Sequence, residues 1–298
     1  NSFCGGWRGQ TINSFLSDVS QRPLKRRSME QLQACNLDSL AKSMVPVVLN
    51  LVRSLKSESA SATLPKEVEL AANILASWDF SMNRDEAAPL VWDAFLSFYF
   101  RDVFGPWWRF SGLDQLKRYS LENLHFPSGG WKGAFLQTLE VMTTESPDSE
   151  TYKAALYPGG EPQSWFYDPV LSEDRNKDKV LLGSLAKAIS YLQGKYGSNP
   201  NDWSWGKHHM RKIPSLLGQK VLDRGPYPTD GNSRTPNASG GKEPSTHGPS
   251  WRMVVSLQEP IKSWGILPGG QAEDPMSPHY DDQFKLWKDY RYKELLFE

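Results

Sequence analysis

What this sequence has little of narrows the field first. Two cysteines, Cys4 and Cys35, in 298 residues allow at most one bridge, so a disulfide framework is excluded. One bridge and two free thiols fit that count equally. No apolar run approaches the roughly 18 to 20 residues of a membrane-spanning helix, so no transmembrane segment is expected. An excess of one charge is missing too: 34 basic and 34 acidic side chains cancel, leaving no global field for nucleic acid or an anionic membrane. The chain starts at Asn1 with neither an initiator Met nor a basic-then-apolar leader, which reads as a processed product or a partial sequence. There is no internal repeat and no low-complexity tract.

What is present is a core. Apolar residues make up 39% of the chain and aromatics 12%. From about residue 10 to 215 the apolar spacing is helical, with recurrence at three and four positions. One stripe is Leu37, Leu40, Met44, Val47, Val48 and Leu51, with Pro46 as a kink or first-turn residue. Val68, Ala71, Ala72, Leu75 and Trp78 form a second. Val91, Trp92, Phe95, Phe98, Tyr99 and Val103 form a third, wide enough to be buried on more than one side; Leu182, Leu185, Ile189, Leu192 and Tyr196 form another. Loops are predicted at Gly105-Pro-Trp-Trp108, Pro127-Ser-Gly-Gly130, Pro158-Gly-Gly160 and Gly197-Ser-Asn-Pro200.

The character changes near Gly218, which divides a mainly helical section, residues 1–217, from a second section, residues 218–298. Residues 225–250 are rich in Gly, Pro, Ser, Thr and Asn and read as a long ordered loop or an exposed linker. Trp251, Met253, Val255 and Leu257 then alternate with Arg252, Val254 and Ser256, the period-two signature of a strand with one core face. A short final helix is expected near residues 281–290. Asn237-Ala-Ser239 fits an N-glycosylation acceptor that would be accessible in a secreted eukaryotic protein.

The residues with chemical potential give no self-contained catalytic pattern. His208 and His209 are adjacent, whereas metal ligands on one helical face sit three or four apart, so no metal site is predicted. His247, Ser250 and Asp230 invite comparison with a triad, but no Gly-x-Ser-x-Gly turn accompanies them.

Several segments together carry a resemblance that spans nearly the whole chain. The tail reads His247-Gly-Pro-Ser-Trp-Arg252, then Gly269-Gly-Gln271, then Ser277-Pro-His-Tyr-Asp-Asp-Gln283. Before it come Trp203-Ser-Trp-Gly206 with His208, then Gly225-Pro-Tyr-Pro and residues 231–237. At the front, Trp7-Arg-Gly-Gln-Thr-Ile12 precedes a helical pattern. In this order and spacing the segments resemble the C-terminal part of the β chain of the penicillin acylase (penicillin amidase) family of N-terminal nucleophile hydrolases.

The resemblance implies an α+β fold: the C-terminal portion of a four-layer αββα sandwich with a large helical section beside it. It also implies amide hydrolysis by a Ser at the start of the β chain, through an acyl-enzyme intermediate. Substrates of the penicillin or acyl-homoserine-lactone type are implied, with a periplasmic or secreted location; a eukaryotic lumenal one fits too. No catalytic residue carries over. The nucleophile would arrive on another polypeptide, and calcium, where present, would belong to the complete enzyme. Arg8 matches the first Arg of the family's front segment and would pair with a nearby carboxylate. Thr11 stands where the second Arg is expected, and a Thr lacks the charge and forked donors of a guanidinium. His247, Arg252, His279 and Asp282 are read as structural anchors of the tail. Phe98, Tyr99, Trp107 and Trp108 are the candidates for lining an acyl pocket. Alone, such a chain would leave a sheet edge unpaired and an apolar face uncovered, and so should need a partner. The alternative is a non-catalytic, acylase-derived subunit kept for its surface within a larger assembly.

Overall fold

Ten helices and seven short strands appear in a computed structural model that describes residues 5–58, 64–112, 130–158, 163–240 and 243–296. Asn1, Cys4, the turn residues 127–129 and Gly159-Gly160 lie outside the described residues.

The helical section is built around one helix. Helix α5, Ala88–Phe110, is buried almost all round, including Leu90, Trp92, Phe95, Tyr99, Phe100 and Phe104. Fully burying a side chain of this size contributes about 1.5–3 kcal/mol, so this single helix anchors much of the core. Against it lie α4, Lys66–Ala76, and α8, Lys177–Tyr196, and α3, Ser39–Glu58, packs on both of these; each presents one apolar stripe. The α4 stripe is the predicted one: Val68, Ala71, Ala72 and Leu75, continued by Trp78. On α3 the buried face includes Val45 and Val52 where the spacing points to Val47 and Leu51, a rotation of about one position. Helix α8 starts at Asn176, whose side chain accepts a hydrogen bond from the Lys179 amide, and ends at Gly197, where φ is +90°.

The predicted break at Gly105-Pro-Trp-Trp108 does not occur; α5 runs through Pro106 to Phe110. A proline inside a helix leaves the carbonyl four residues earlier without its N–H donor. Here that carbonyl is Asp102, and the guanidinium of Arg175 donates to it and to the Val103 and Trp165 carbonyls, while Arg175 Nε donates to Phe166. Arg175 thus fills the gap that Pro106 opens. Replacing it by Lys, which cannot reach four acceptors from one planar head, should cost about 1.5–3 kcal/mol, read as a lower urea midpoint.

The front helices are short: α1, Trp7–Ser17, and α2, Arg26–Ala34. After α6, Gly130–Thr144, and α7, Glu150–Ala154, comes a two-residue hairpin, β1, Tyr167–Asp168, with β2, Glu173–Asp174. Past α8, the one-turn helix α9, Trp205–His208, leads into β3, Met210–Ile213, which pairs antiparallel with β4, Arg224–Pro228.

The tail forms an antiparallel sheet in the order β5, Arg252–Ser256, then β6, Lys262–Ile266, then β7, Lys293–Leu295, with α10, Phe284–Lys288, before the last strand. Its register places Arg252 opposite Ile266 and Val254 opposite Trp264. The predicted alternation on β5 is there, but the face that packs inward is the one bearing Arg252 and Val254. Arg252 is accepted there because its guanidinium lies 4.9 Å from the Trp287 ring and 5.0 Å from the Tyr290 ring and donates to the Trp287 carbonyl. The apolar set faces outward, with Trp251 58% and Leu257 83% exposed and Met253 and Val255 beside them.

Among the described residues of 225–250, the first four belong to β4 and the rest form an ordered loop rather than an exposed linker. Thr229, Asn232, Arg234, Thr235, Asn237, Ser239 and Ser245 are all buried. The Asn237 side chain, 1% exposed, donates to the Tyr290 hydroxyl, so the folded chain has no room for a glycan there and the acceptor reading is overturned.

Candidate functional site

The front segment Trp7-Arg-Gly-Gln-Thr-Ile12 forms the start of α1, and its contacts define the site. The Trp7 indole N–H donates to Glu140 of α6 (2.7 Å), whose other oxygen accepts from Ser43 of α3 (2.6 Å). Burial raises the Glu140 pKa. The Ser39 hydroxyl donates to the Trp7 carbonyl. Arg8 donates to the Ser233 carbonyl (2.9 Å), a backbone partner in place of the expected carboxylate. Thr11 is buried, with its hydroxyl turned back onto the Trp7 carbonyl. A guanidinium at this closed position would have to displace neighbours. Thr11→Arg should therefore destabilise the fold by about 1–3 kcal/mol through overpacking, measurable by denaturant unfolding.

Beneath Ser233 lies the most buried ionic group of the described chain. Arg234 is 1% exposed and donates from Nε and Nη2 to one oxygen of Asp38, at 2.9 and 2.7 Å. The same oxygen accepts from Asn232 (2.8 Å) and Trp92 (3.2 Å), and the other oxygen accepts the Leu40 amide at the start of α3. Asp93 of α5 lies on the far side, 3.8 Å from Arg234, with neither oxygen hydrogen-bonded. The two carboxylates therefore differ in state. Burial pushes Asp38 up, but the charge of Arg234 and the bonds from Arg234, Asn232 and Trp92 outweigh it and hold the carboxyl below its usual range. Burial dominates at Asp93, with the charges of Asp38 and Glu243 adding to it against Arg234, and pushes it up to about 8. At neutral pH one cation thus faces one anion and one neutral acid.

That asymmetry has a pH signature. Asp93 holds its proton up to about 8 when folded, against 3.8 when free of the fold. Between those values the native state binds more protons, so this group's contribution is intact at low pH and is lost as pH rises to about 8. Asp93→Asn should remove the loss: the variant gains on the parent from about pH 4 to 8, and the difference is flat above. Denaturant midpoints at pH 5, 7 and 9 measure it.

Two further groups tie the tail to this junction. His209 Nδ1 lies 2.6 Å from Glu243, which also accepts the Met210 amide. Burial lowers His209 to about 3 and His208 to about 4, while burial raises Glu243 to about 7. Asp230 accepts the Arg84 amide and the Tyr290 hydroxyl, and Asn237 links Tyr290 to Arg252.

Of the predicted anchors, Arg252 acts through its side chain, and His247 and His279 bond through their carbonyls. The His247 carbonyl accepts from Ser245 and the Gly240 amide, and the His279 carbonyl accepts from Gln271 and Ala272. The His279 ring is exposed and pairs with Asp282 at 2.9 Å. The pocket candidates lie in the helical core rather than along a groove. Tyr99, Trp107 and Trp108 are buried, and Phe98 packs on Tyr191. Trp107 lies 4.2 Å from the Tyr157 ring and donates to the Trp165 carbonyl, so these large rings pack the interior. Cys35 caps α2 half-buried, and burial raises its thiol.

Chemically, the junction holds parts in place. The hydroxyls of Thr11, Ser39, Ser43 and Ser245 are bonded to carbonyls or a carboxylate, and none of these is set against an imidazole. Among the described residues no cluster of three or more His, Cys, Asp or Glu could hold a metal ion, and no helix is long and apolar enough to cross a membrane. The open surface lies at the terminal sheet. A cleft of about 750 Å³ runs between the start of α2 and strands β5 and β6, lined by Met29, Val255, Leu257 and Trp264, with Arg26 stacked 4.1 Å over Trp264.

Sequence reasoning did not single out Asp38, Asp93, Asn232 or Arg234. One signal was available: Asp93 is the only charged residue between Asp85-Glu86 and Arg101, in the most apolar stretch of the chain.

Comparison with known proteins agrees with this architecture. The acyl-homoserine lactone acylase QuiP of Pseudomonas aeruginosa is 28% identical over 190 residues, covering 56% of this chain and 21% of that protein. QuiP of Pseudomonas syringae pv. syringae is 33% identical over 149 residues, covering 46% and 18%. The chain thus spans about a fifth of the length of these relatives. The thermostable penicillin G acylase of Alcaligenes faecalis matches 97% of this chain and 49% of its own at a TM-score of 0.60 and 16% identity, a likeness of fold. The family model described as Penicillin amidase matches residues 1–298, and the chain belongs to that family.

Proposed function

We propose that this chain is the C-terminal part of the β chain of an acylase that hydrolyses a linear amide, of the penicillin or acyl-homoserine-lactone type. The N-terminal Ser nucleophile is carried on another polypeptide. The observation that carries the reading is the outward apolar face of the terminal sheet, Trp251, Met253, Val255 and Leu257, continuous with the 750 Å³ cleft at α2. A face of this kind marks an interface, and completing it would give the four-layer sandwich of which this chain supplies one part. Attack by the Ser through an acyl-enzyme would then be the reaction. A periplasmic or secreted location goes with the proposal, and calcium, if the enzyme uses it, is placed on the remaining chains.

Intact-mass and N-terminal analysis of polypeptides that co-purify with the chain tests this, followed by hydrolysis assays with phenylacetyl amides and N-acyl homoserine lactones. A stoichiometric partner with a free N-terminal Ser, Thr or Cys and measurable hydrolysis upholds the reading. In that case Val255→Lys should weaken the association. An assembly with no such terminus and no hydrolysis ends it. Thr11 favours the second reading, a non-catalytic acylase-derived subunit, because the expected Arg is replaced at a position the fold has closed.

A further inference from the structure

In the helical core α5 and α8 pack along each other and share an arrangement of cations. Arg101 and Arg109, eight residues apart on α5, flank the Gly105-Pro106 step; Lys179 and Lys187, eight apart on α8, flank Gly183. Residues spaced by four share a helix face, so each helix carries its pair on one side. A cleft of about 250 Å³ opens between them, with Arg175 at one end. A methyl group added at Gly183 would meet nothing within 4 Å, so the cleft is open above its centre.

Five cations and two carboxylates line this cleft, a local excess of positive charge in a chain whose charges cancel overall. Both carboxylates are committed. Asp102 is bonded to Lys187 (2.9 Å) and the Ser184 hydroxyl (2.7 Å), and Asp168 accepts the amides of Val170 and Leu171. Arg175 is taken up by backbone carbonyls, as described above. That leaves Arg101, Arg109 and Lys179 with no ion pair among the described residues, and the buried Nε of Arg101 with no hydrogen-bond partner. Like charges gathered in a cleft repel one another and raise the local concentration of anions. Planar guanidinium groups and a lysine point charge together suit the oxygens of a phosphate. The volume lies below the roughly 300–1,000 Å³ of pockets for drug-sized ligands, which points to a small anion.

We propose that the α5–α8 cleft binds a tetrahedral dianion, inorganic phosphate or a small phosphomonoester, held by Arg101, Arg109 and Lys179. The site does not depend on the acylase reading. The test is calorimetric titration of the native protein, with whatever chains co-purify, by inorganic phosphate and by glycerol 3-phosphate at constant ionic strength, with sodium chloride as the reference. Saturable binding is expected, weakened at least tenfold in Arg101→Gln/Lys179→Gln and unchanged in Lys285→Gln on α10. Should the double variant fold poorly, Lys179→Gln alone, at an exposed position, should weaken binding several-fold. Tighter binding of the ester assigns a phosphomonoester and tighter binding of the free ion assigns phosphate. Heats that match chloride, or an affinity unchanged in the variants, overturn the site.

Discussion

Asp38→Ala is expected to remove about 3–5 kcal/mol of stability, the range for breaking a fully buried ion pair from one side. The loss comes mainly from what stays behind. Arg234 remains charged and sealed from water, and its Nε and Nη2 lose the oxygen that both now use. The indole of Trp92 and the amide of Asn232 lose that acceptor too. With total stability of the order of 5–15 kcal/mol, such a change would leave the chain marginal at room temperature. Urea unfolding followed by tryptophan fluorescence measures it. Asp38→Ala/Arg234→Ala should be less damaging than the sum of the two single changes, because removing both partners removes the orphaned charge. A loss below about 1 kcal/mol for Asp38→Ala would show that the group is hydrated in solution and that burial does not govern it.

The same cluster holds the front helix. Ser233, next to Arg234, supplies the carbonyl that receives Arg8, and Ser39, next to Asp38, bonds the Trp7 carbonyl. Weakening the pair should therefore loosen α1 before the helical core. Hydrogen exchange at α1 amides would detect this as faster exchange in Asp38→Ala at denaturant concentrations where α8 is still protected.

Gly231→Ala carries the second large effect, expected at about 3–5 kcal/mol from backbone strain and steric overlap together. Gly231 has φ of +80°, and a methyl group there would stand 2.2 Å from the Asn237 carbonyl oxygen and 2.9 Å from Thr235 Oγ1. Neither neighbour can yield cheaply. The Thr235 hydroxyl donates to the Asn232 and Asn237 carbonyls, and the Gly231 backbone itself bonds Met82 and the Trp205 indole. Gly9→Ala in α1 is the internal control. Its methyl would meet nothing within 4 Å, and a helical Ala is favoured over Gly, so that variant should be neutral or more stable by up to about 1 kcal/mol. Equal midpoints for the two variants would refute the steric account.

The parts of the fold that were legible are those governed by local periodicity. The α4 stripe and the breadth of α5 follow from apolar spacing, and the stop at Gly197 follows from the one residue type that adopts positive φ freely. Pro106 misled because the compensation lies far away in sequence: Arg175 supplies the donors that the proline cannot. The strand at β5 was visible by its alternation, yet the alternation did not reveal which face would turn inward. An Arg faces the core there because Trp287 and Tyr290, more than thirty residues later, build an aromatic cradle for it.

By itself the sequence determined the mixed fold class with its large helical section and the family, through motifs standing in order along the chain. Only the tertiary structure decided the state of the polar residues. Composition marks residues 225–250 as loop, and folding buries the polar residues Thr229, Asn232, Arg234, Thr235, Asn237 and Ser239 within it, because Asp38 and Asp93, far away in the helical section, give Arg234 its counter-charge. Whether a Gly/Ser/Asn stretch stays in water or is drawn into the interior depends on the partners waiting there. Hydrophobic periodicity is local and can be read along a chain; the satisfaction of a buried charge is a long-range property of the fold.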